Sequence, residues 1–157
     1  MANRFLATDD SLAAFLARLA LGIVIFPHGA QKLLGWFGGP GFNGTLDFFA
    51  QAFGVPAMLT MLVILAEFFG GLGLVFGLLT RLSAIGVGLV MLGAVVLGGH
   101  LENGFFMNWT GQQAGEGFEF HLLAIGLVLV VLALGGGRWS VDRAITRRKR
   151  GTVRSHR

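Results

Sequence analysis

Four long apolar stretches, at about 12–35, 55–79, 82–99 and 118–136, occupy most of a 157-residue chain. A helix rises 1.5 Å per residue, so roughly 20 apolar residues cross the hydrocarbon core of a bilayer. Within that core the backbone must satisfy its own hydrogen bonds, which restricts spanning segments to helices and closed barrels. None of the four stretches shows the strict alternation of barrel strands. The third is a little short and borrows the apolar flank around Leu101. Composition agrees: the chain is 54% hydrophobic and 13% charged, about half the charge fraction of a soluble domain. The expectation is an all-α integral membrane protein, a four-transmembrane-helix bundle with no room for a second soluble domain.

Gly 26 is high and aperiodic, which suits helices whose backbones approach closely. Gly73 and Gly77 stand at GxxxG spacing, but in so glycine-rich a chain this identifies no particular contact. Cysteine is absent. That removes disulfides, thiol redox chemistry, cysteine-held iron–sulfur clusters and covalent c-type haem. Any redox role then falls to a bound small molecule, a metal held by His and carboxylate, or a partner protein.

The net charge of +4 hides an asymmetry. From Arg138 onward there are eight basic residues against Asp142, whereas residues 1–137 sum to −3. A basic tail on an apolar body reads as a membrane-anchored cytoplasmic end, not as a nucleic-acid-binding domain. The chain divides on this reading into a membrane domain, 1–145, and a basic cytoplasmic tail, 146–157. Asp9, Asp10 and Arg18 break the pattern of a cleavable signal peptide, so the first helix is expected to stay in the protein. Lys and Arg are missing from the connections Trp36–Gly54 and His100–Gly117, while Arg81 lies in the tight turn between the second and third helices and Arg4 near the N-terminus. Both termini are therefore expected to be cytoplasmic, with the two long loops outside.

Those loops are rich in Phe, Trp and Gly, as suits the membrane interface. Thr45–Phe53 is expected to form a short interfacial or re-entrant helix capped by Asn43 or Thr45.

The polar residues inside the apolar runs carry the functional question. Arg18, His28 and Lys32 lie in the first helix, Glu67 is the sole charge of the second, and Glu119 and His121 open the fourth. A charge near the bilayer centre costs about 2.5–3.5 kcal/mol even on the insertion scale, so such groups face the bundle interior and find partners. Glu67 falls near the midplane, within reach of Arg18 from the inner half or of His28 or Lys32 from the outer half, since long basic side chains snorkel. Pro27 should kink the helix and make space beside the basic pair. Three readings stay open: ion pairs that only fix the bundle, a ligand-binding or proton-handling pocket, and a metal or b-haem site using His28, His100, Glu119 or His121. The Glu119-x-His121 spacing, which puts the two on differing helix faces, weakens the last, and no metal is assigned.

In order along the chain, "RLALG", "HGAQKLLGWFGGPGF", "EFFGGLGLVFGLLTRLSA", "HLENGFF", "GFEFHLL" and "GGGRWSVD" resemble the DoxX family of small four-helix bacterial membrane proteins, over about residues 12–142. The chain departs from the family pattern at Phe118, Gly136 and Trp139. The resemblance implies a multi-pass protein of the bacterial cytoplasmic (inner) membrane. It also implies membership of a redox-associated assembly, the family name being tied to a small subunit of a thiosulfate:quinone oxidoreductase. It carries over Arg18, His28, Lys32, Glu67 and Glu119 as pocket residues. In one function so implied, a quinone sits in the outer half of the bundle. His28 or Lys32 donates to its carbonyl, Glu67 or Glu119 moves the proton, and Trp36, Phe37, Phe105 and Phe106 enclose the ring. The chain is then at most an oxidoreductase subunit whose electrons come from a partner, and it is expected to associate with a partner protein or as a homo-oligomer. The alternative is a non-enzymatic membrane scaffold or small-solute conduit with structural ion pairs. Topology is open to direct test: reporter fusions at Gly44 and Gly115 should read periplasmic and those at Arg81 and Arg157 cytoplasmic, and one reversed loop refutes the four-crossing arrangement.

Overall fold

The computed structural model describes residues 6–154, so Arg4 and Arg157, which entered the charge asymmetry, lie outside the described residues. Its regular structure is helical: α1 (Leu12–Leu34), α2 (Gly41–Phe53), α3 (Ala57–Phe76), α4 (Thr80–Leu97), α5 (Glu119–Leu134) and α6 (Val141–Arg154). Three of these, α1, α3 and α4, are long and apolar enough to cross a membrane. The fourth apolar helix, α5, has 16 residues against the 19 expected over 118–136, and spans about 24 Å. The polar C-terminal segment, expected to change character at residue 145, is one helix from Val141 onward.

Local chemistry sets the ends of α1. The Ser11 hydroxyl accepts from the Ala14 N–H at 3.1 Å, an N-cap that satisfies one of the unpaired first-turn donors. Gly35, at φ 72°, ends the helix in the left-handed conformation that glycine adopts without strain. Pro27 lies inside α1, which continues as helix on both sides of it. The short helix in the first loop starts earlier than expected. Its N-terminus, at Gly41, follows Pro40 and has no side-chain cap. Thr45 is fully buried within it, 2.7 Å from the Gly41 carbonyl and 3.2 Å from the Lys32 carbonyl that its hydroxyl faces. Neither Asn43 nor Thr45 is the cap. Thr45 instead ties α2 to the end of α1.

The four apolar helices close a ring in the order α1, α3, α4, α5, with α1 and α3 the most extensive pair. A Cβ on Gly22 would lie 2.8 Å from the Val75 N, one on Gly71 2.8 Å from the Phe26 Cα, and one on Gly29 2.4 Å from the Phe68 N. These three glycines, rather than the Gly73–Gly77 pair, let α1 and α3 touch backbone to backbone. Gly77 has a different task. It ends α3 at φ 68°, and a Cβ there would strike Ser140 and the Arg18 guanidinium. Inside the ring, Leu21, Ile25, Leu74, Val87, Val128 and Val131 form the apolar core.

A polar lock closes the end of the bundle where the described termini meet. Arg18 is 1% exposed. Its Nη1 donates to the Leu74 and Val75 carbonyls at 2.7 and 2.6 Å, its Nε to Gly136 at 2.7 Å and its Nη2 to Trp139 at 3.0 Å. It therefore caps the C-terminus of α3, where unpaired carbonyls and the helix dipole favour a cation, and holds the α5–α6 connection against it. Asp142 does the converse for α4. Its carboxylate accepts from the Leu79 and Thr80 N–H groups, both at 2.8 Å, and from the Thr80 hydroxyl at 2.7 Å. Leu79 stands at φ 47°, uncommon for a residue with a Cβ, and the Asp142 bond holds it there. Arg81 caps α5, donating to the Leu132 carbonyl at 2.9 Å and the Ala133 carbonyl at 3.3 Å, and also reaches the Ala7 carbonyl. The Asp9 N–H reaches the Leu134 carbonyl at 3.2 Å and the Arg138 N–H the Ser11 carbonyl at 3.1 Å, so the start and the finish of the bundle share one end. Arg143 and Arg138 hydrogen-bond Asp10 and hold its carboxyl down at about 2, so it stays ionised throughout the neutral range.

Asp142 separates the structural part of α6 from its basic remainder. Truncation after Ile145 should leave a monodisperse, detergent-stable protein, whereas truncation after Ser140, which removes Asp142, should not. Arg18→Met strips several charge-assisted bonds and should cost at least about 3 kcal/mol, read as a lowered melting temperature in detergent.

Candidate functional site

At the opposite, loop-bearing end the backbone contact at Gly29 brings α1 against α3 at Glu67 and Phe68. Lys32 follows three residues later, one helical turn towards the loops, so its side chain can reach Glu67. The Lys32 Nζ lies 2.7 Å from Glu67 Oε2, with side-chain exposures of 20% and 6%. Glu67 is ten residues from the start of α3, about 15 Å in. Lys32 answers the open question of which base serves it. Arg18 is committed to carbonyls at the other end, 14 residues away along α1, or about 21 Å.

The pair is not closed. Nζ approaches Oε2 away from a hydrogen-bonding direction, and this buried oxygen has no directed hydrogen bond among the described residues. His28 lies one turn before Lys32, at the i, i+4 spacing that stacks side chains on one face. It is exposed on the bundle, close enough to feel the charges of both Lys32 and Glu67. The structure thus brings His28, Lys32 and Glu67 together, with His28 on the outside rather than facing inward as expected.

Glu119 belongs to a different group. Its Oε1 accepts from the Met107 N–H at 3.0 Å and the Trp109 indole N–H at 3.2 Å, and so orders the long loop before α5. Trp36, Phe37, Phe105 and Phe106 are all exposed. Trp36 packs edge-on against Phe37, and Phe105 against Phe106 and Phe118. They form aromatic pairs on the loops, not a shell around the ion pair.

The long loop also brings together two histidines that the sequence named only among the candidate metal ligands. The rings of His100 and His121 lie 4.3 Å apart, His100 Nδ1 sits 2.8 Å from the Glu116 carbonyl oxygen, and the buried His121 Nδ1 has no hydrogen-bond partner among the described residues. Twenty residues, most of them loop, separate the two histidines, and no spacing rule links them across it. Among the described residues no three His, Asp or Glu side chains converge as a metal-holding group. Asp142 and Thr80 were likewise missed as a capping pair, although Asp142 ends the "GGGRWSVD" stretch already singled out.

Comparison with known proteins agrees with this architecture. The DoxX family model matches residues 13–100, just over half of the chain and most of the four-helix ring. Similar proteins include "Inner membrane protein YqjF" of Escherichia coli (strain K12), 29% identical over 140 residues, which cover 88% of this chain and 96% of that one. Another is "Putative oxidoreductase CatD" of Bacillus subtilis (strain 168), 31% identical over 85 residues, 54% of this chain and 58% of that one. No solved structure matches.

The depth of the ion pair makes its two halves unequal. After Glu67→Gln the Lys32 ammonium is near the end of α1 and can snorkel to the interface. After Lys32→Met the Glu67 carboxylate stays buried without its partner, a loss of about 3–5 kcal/mol for buried pairs. Thermal melts in detergent should therefore rank Lys32→Met well below Glu67→Gln, with the double variant recovering part of the difference.

Proposed function

Since the chain belongs to the DoxX family and is a multi-pass inner-membrane protein, we propose that it is a redox-associated subunit that holds a quinone against the loop-side half of α1. One observation carries this reading. A buried Glu67 carboxylate, incompletely bonded and paired with half-buried Lys32, lies one turn from a histidine exposed on the apolar bundle. Pocket residues enclosed by protein would serve a water-borne ligand equally well. A polar group opening onto the hydrocarbon suits a carrier that arrives through the bilayer with an apolar tail and a polar head. The name of the Bacillus subtilis relative points the same way.

In this proposal α1, α3, α4 and α5 all cross the membrane, α5 being completed by the ordered loop before it. Both termini are cytoplasmic, because Arg81 and the basic residues of α6 lie at the end where the termini meet. The quinone, when bound, supplies the two-electron carrier chemistry. His28 donates a hydrogen bond from its exposed ring towards the carbonyl position. Lys32 orients the ionised Glu67 carboxylate, which would take up one of the two protons that the reduced quinone needs and pass it on to the quinone oxygen. Electrons come from a partner protein.

A second reading has its own support. Arg18, Arg81 and Asp142 are fully occupied in helix capping, and the loop aromatics form no enclosure. A scaffold whose polar groups are all structural would look the same at that end. Organic extraction and mass spectrometry of the purified protein separate the two. The proposal expects near-stoichiometric quinone in the wild type, lost in His28→Leu and Glu67→Gln at unchanged melting temperature for His28→Leu. Phospholipid alone in every sample favours the scaffold.

A further inference from the structure

At the end where the termini meet, the polar lock leaves a cavity of about 350 Å³ between the N-terminal segment and the first turns of α6. Arg138, Arg143 and Arg147 line it against a single carboxylate, Asp10, so its wall carries a net charge of +2. Asp10 does not cancel the site but arranges it. Its carboxylate accepts from Arg138 Nε at 3.0 Å and from both terminal nitrogens of Arg143. The terminal nitrogens of Arg138 make no hydrogen bond among the described residues, and exposed Arg147 has no ion-pair partner among them.

Trp139 forms the remaining wall. It is 67% exposed, yet it is held firmly. Its backbone stands at φ 54°, its carbonyl accepts from buried Arg18, Phe15 packs edge-on to its ring at 5.0 Å, and the Arg138 guanidinium lies 5.7 Å from the ring centre. An ordered, exposed indole at the level where α1 begins and α5 ends is placed for the membrane–water interface. Solvent alone gives no reason to fix so large an apolar group beside three guanidinium groups.

We propose that this cavity binds the phosphate of an anionic phospholipid headgroup. The phosphodiester sits between the Arg138 terminal nitrogens and Arg147, a geometry in which arginine forks match phosphate oxygens. The Trp139 ring lies along the glycerol and the upper acyl chain. The net positive wall selects lipids with a net negative headgroup over zwitterionic ones. Each basic residue at an anionic surface contributes about 1 kcal/mol, or roughly fivefold in affinity.

The test uses the full-length protein in neutral detergent. Native mass spectrometry with added phosphatidylglycerol or phosphatidylcholine reads lipid binding, and a thermal-shift titration with inorganic phosphate reads the free anion. The proposal expects retained phosphatidylglycerol adducts and few phosphatidylcholine adducts. Arg138→Gln and Arg147→Gln should each weaken the phosphatidylglycerol adduct about fivefold, and Trp139→Ala should weaken lipid but not phosphate binding. A variant with Arg148, Lys149 and Arg150 all changed to Gln should bind as the wild type does. If that variant loses binding while the cavity variants keep it, diffuse tail charge is responsible and the proposal fails. Tight inorganic phosphate binding without lipid preference would overturn it in favour of a free-anion site.

Discussion

Hydrocarbon offers no hydrogen bonds, so each helix end that a membrane bundle buries must find its partners within the protein. In this chain Arg18 meets most of that demand at one end. It is a full charge with 1% exposure, made tolerable by backbone carbonyls from α3 and from the α5–α6 connection. Carbonyls at a helix C-terminus carry the negative end of the dipole, so the arginine needs no carboxylate of its own. Arg81 repeats the device for α5, and Asp142 inverts it at the N-terminus of α4. Arg81, which the distribution of basic residues counts towards topology, thus also closes a helix end.

The other end is built differently. There the charges meet as one pair, Lys32 and Glu67, with an oxygen left without a directed bond and a histidine exposed beside it. A bundle selected only for stability would replace such a pair with apolar side chains of similar volume, which is often neutral or stabilising. The contrast between a saturated end and an unsaturated one is the physical ground for the proposal that function lies at Lys32 and Glu67. The aromatic loops then serve the interface, with Trp36, Phe37, Phe105 and Phe106 exposed in pairs.

Much of the helical framework was legible because the hydrophobic effect writes itself along the chain. The apolar runs lie within three residues of α1, α3, α4 and α5 at each boundary. Family membership was legible too, through motifs of which the first three lie within the matched residues 13–100. Contacts between distant segments were not. Arg18 looked like a pocket residue because the family resemblance carries it over as one, and nothing in the sequence says which carbonyls 56 and 118 residues away it will meet. The His100–His121 contact depends on the path of a loop, and Thr45 reads as a helix cap until Gly41 proves to start the helix. His28 was expected inside because polar groups avoid lipid. Its exposure is the feature that sequence rules predict against.

That exposure is also the most direct point of test. The chain has no cysteine, so His28→Cys carries a single nitroxide label without further engineering, and Leu21→Cys in the core provides the buried reference. In a reconstituted bilayer, power-saturation spectroscopy compares relaxation by oxygen, which partitions into lipid, with relaxation by a water-soluble nickel chelate. A site beside Lys32 and Glu67 that opens onto the membrane predicts strong oxygen and weak nickel relaxation at position 28, well above the oxygen effect at position 21. Weak relaxation by both reagents, or relaxation dominated by nickel, would contradict it.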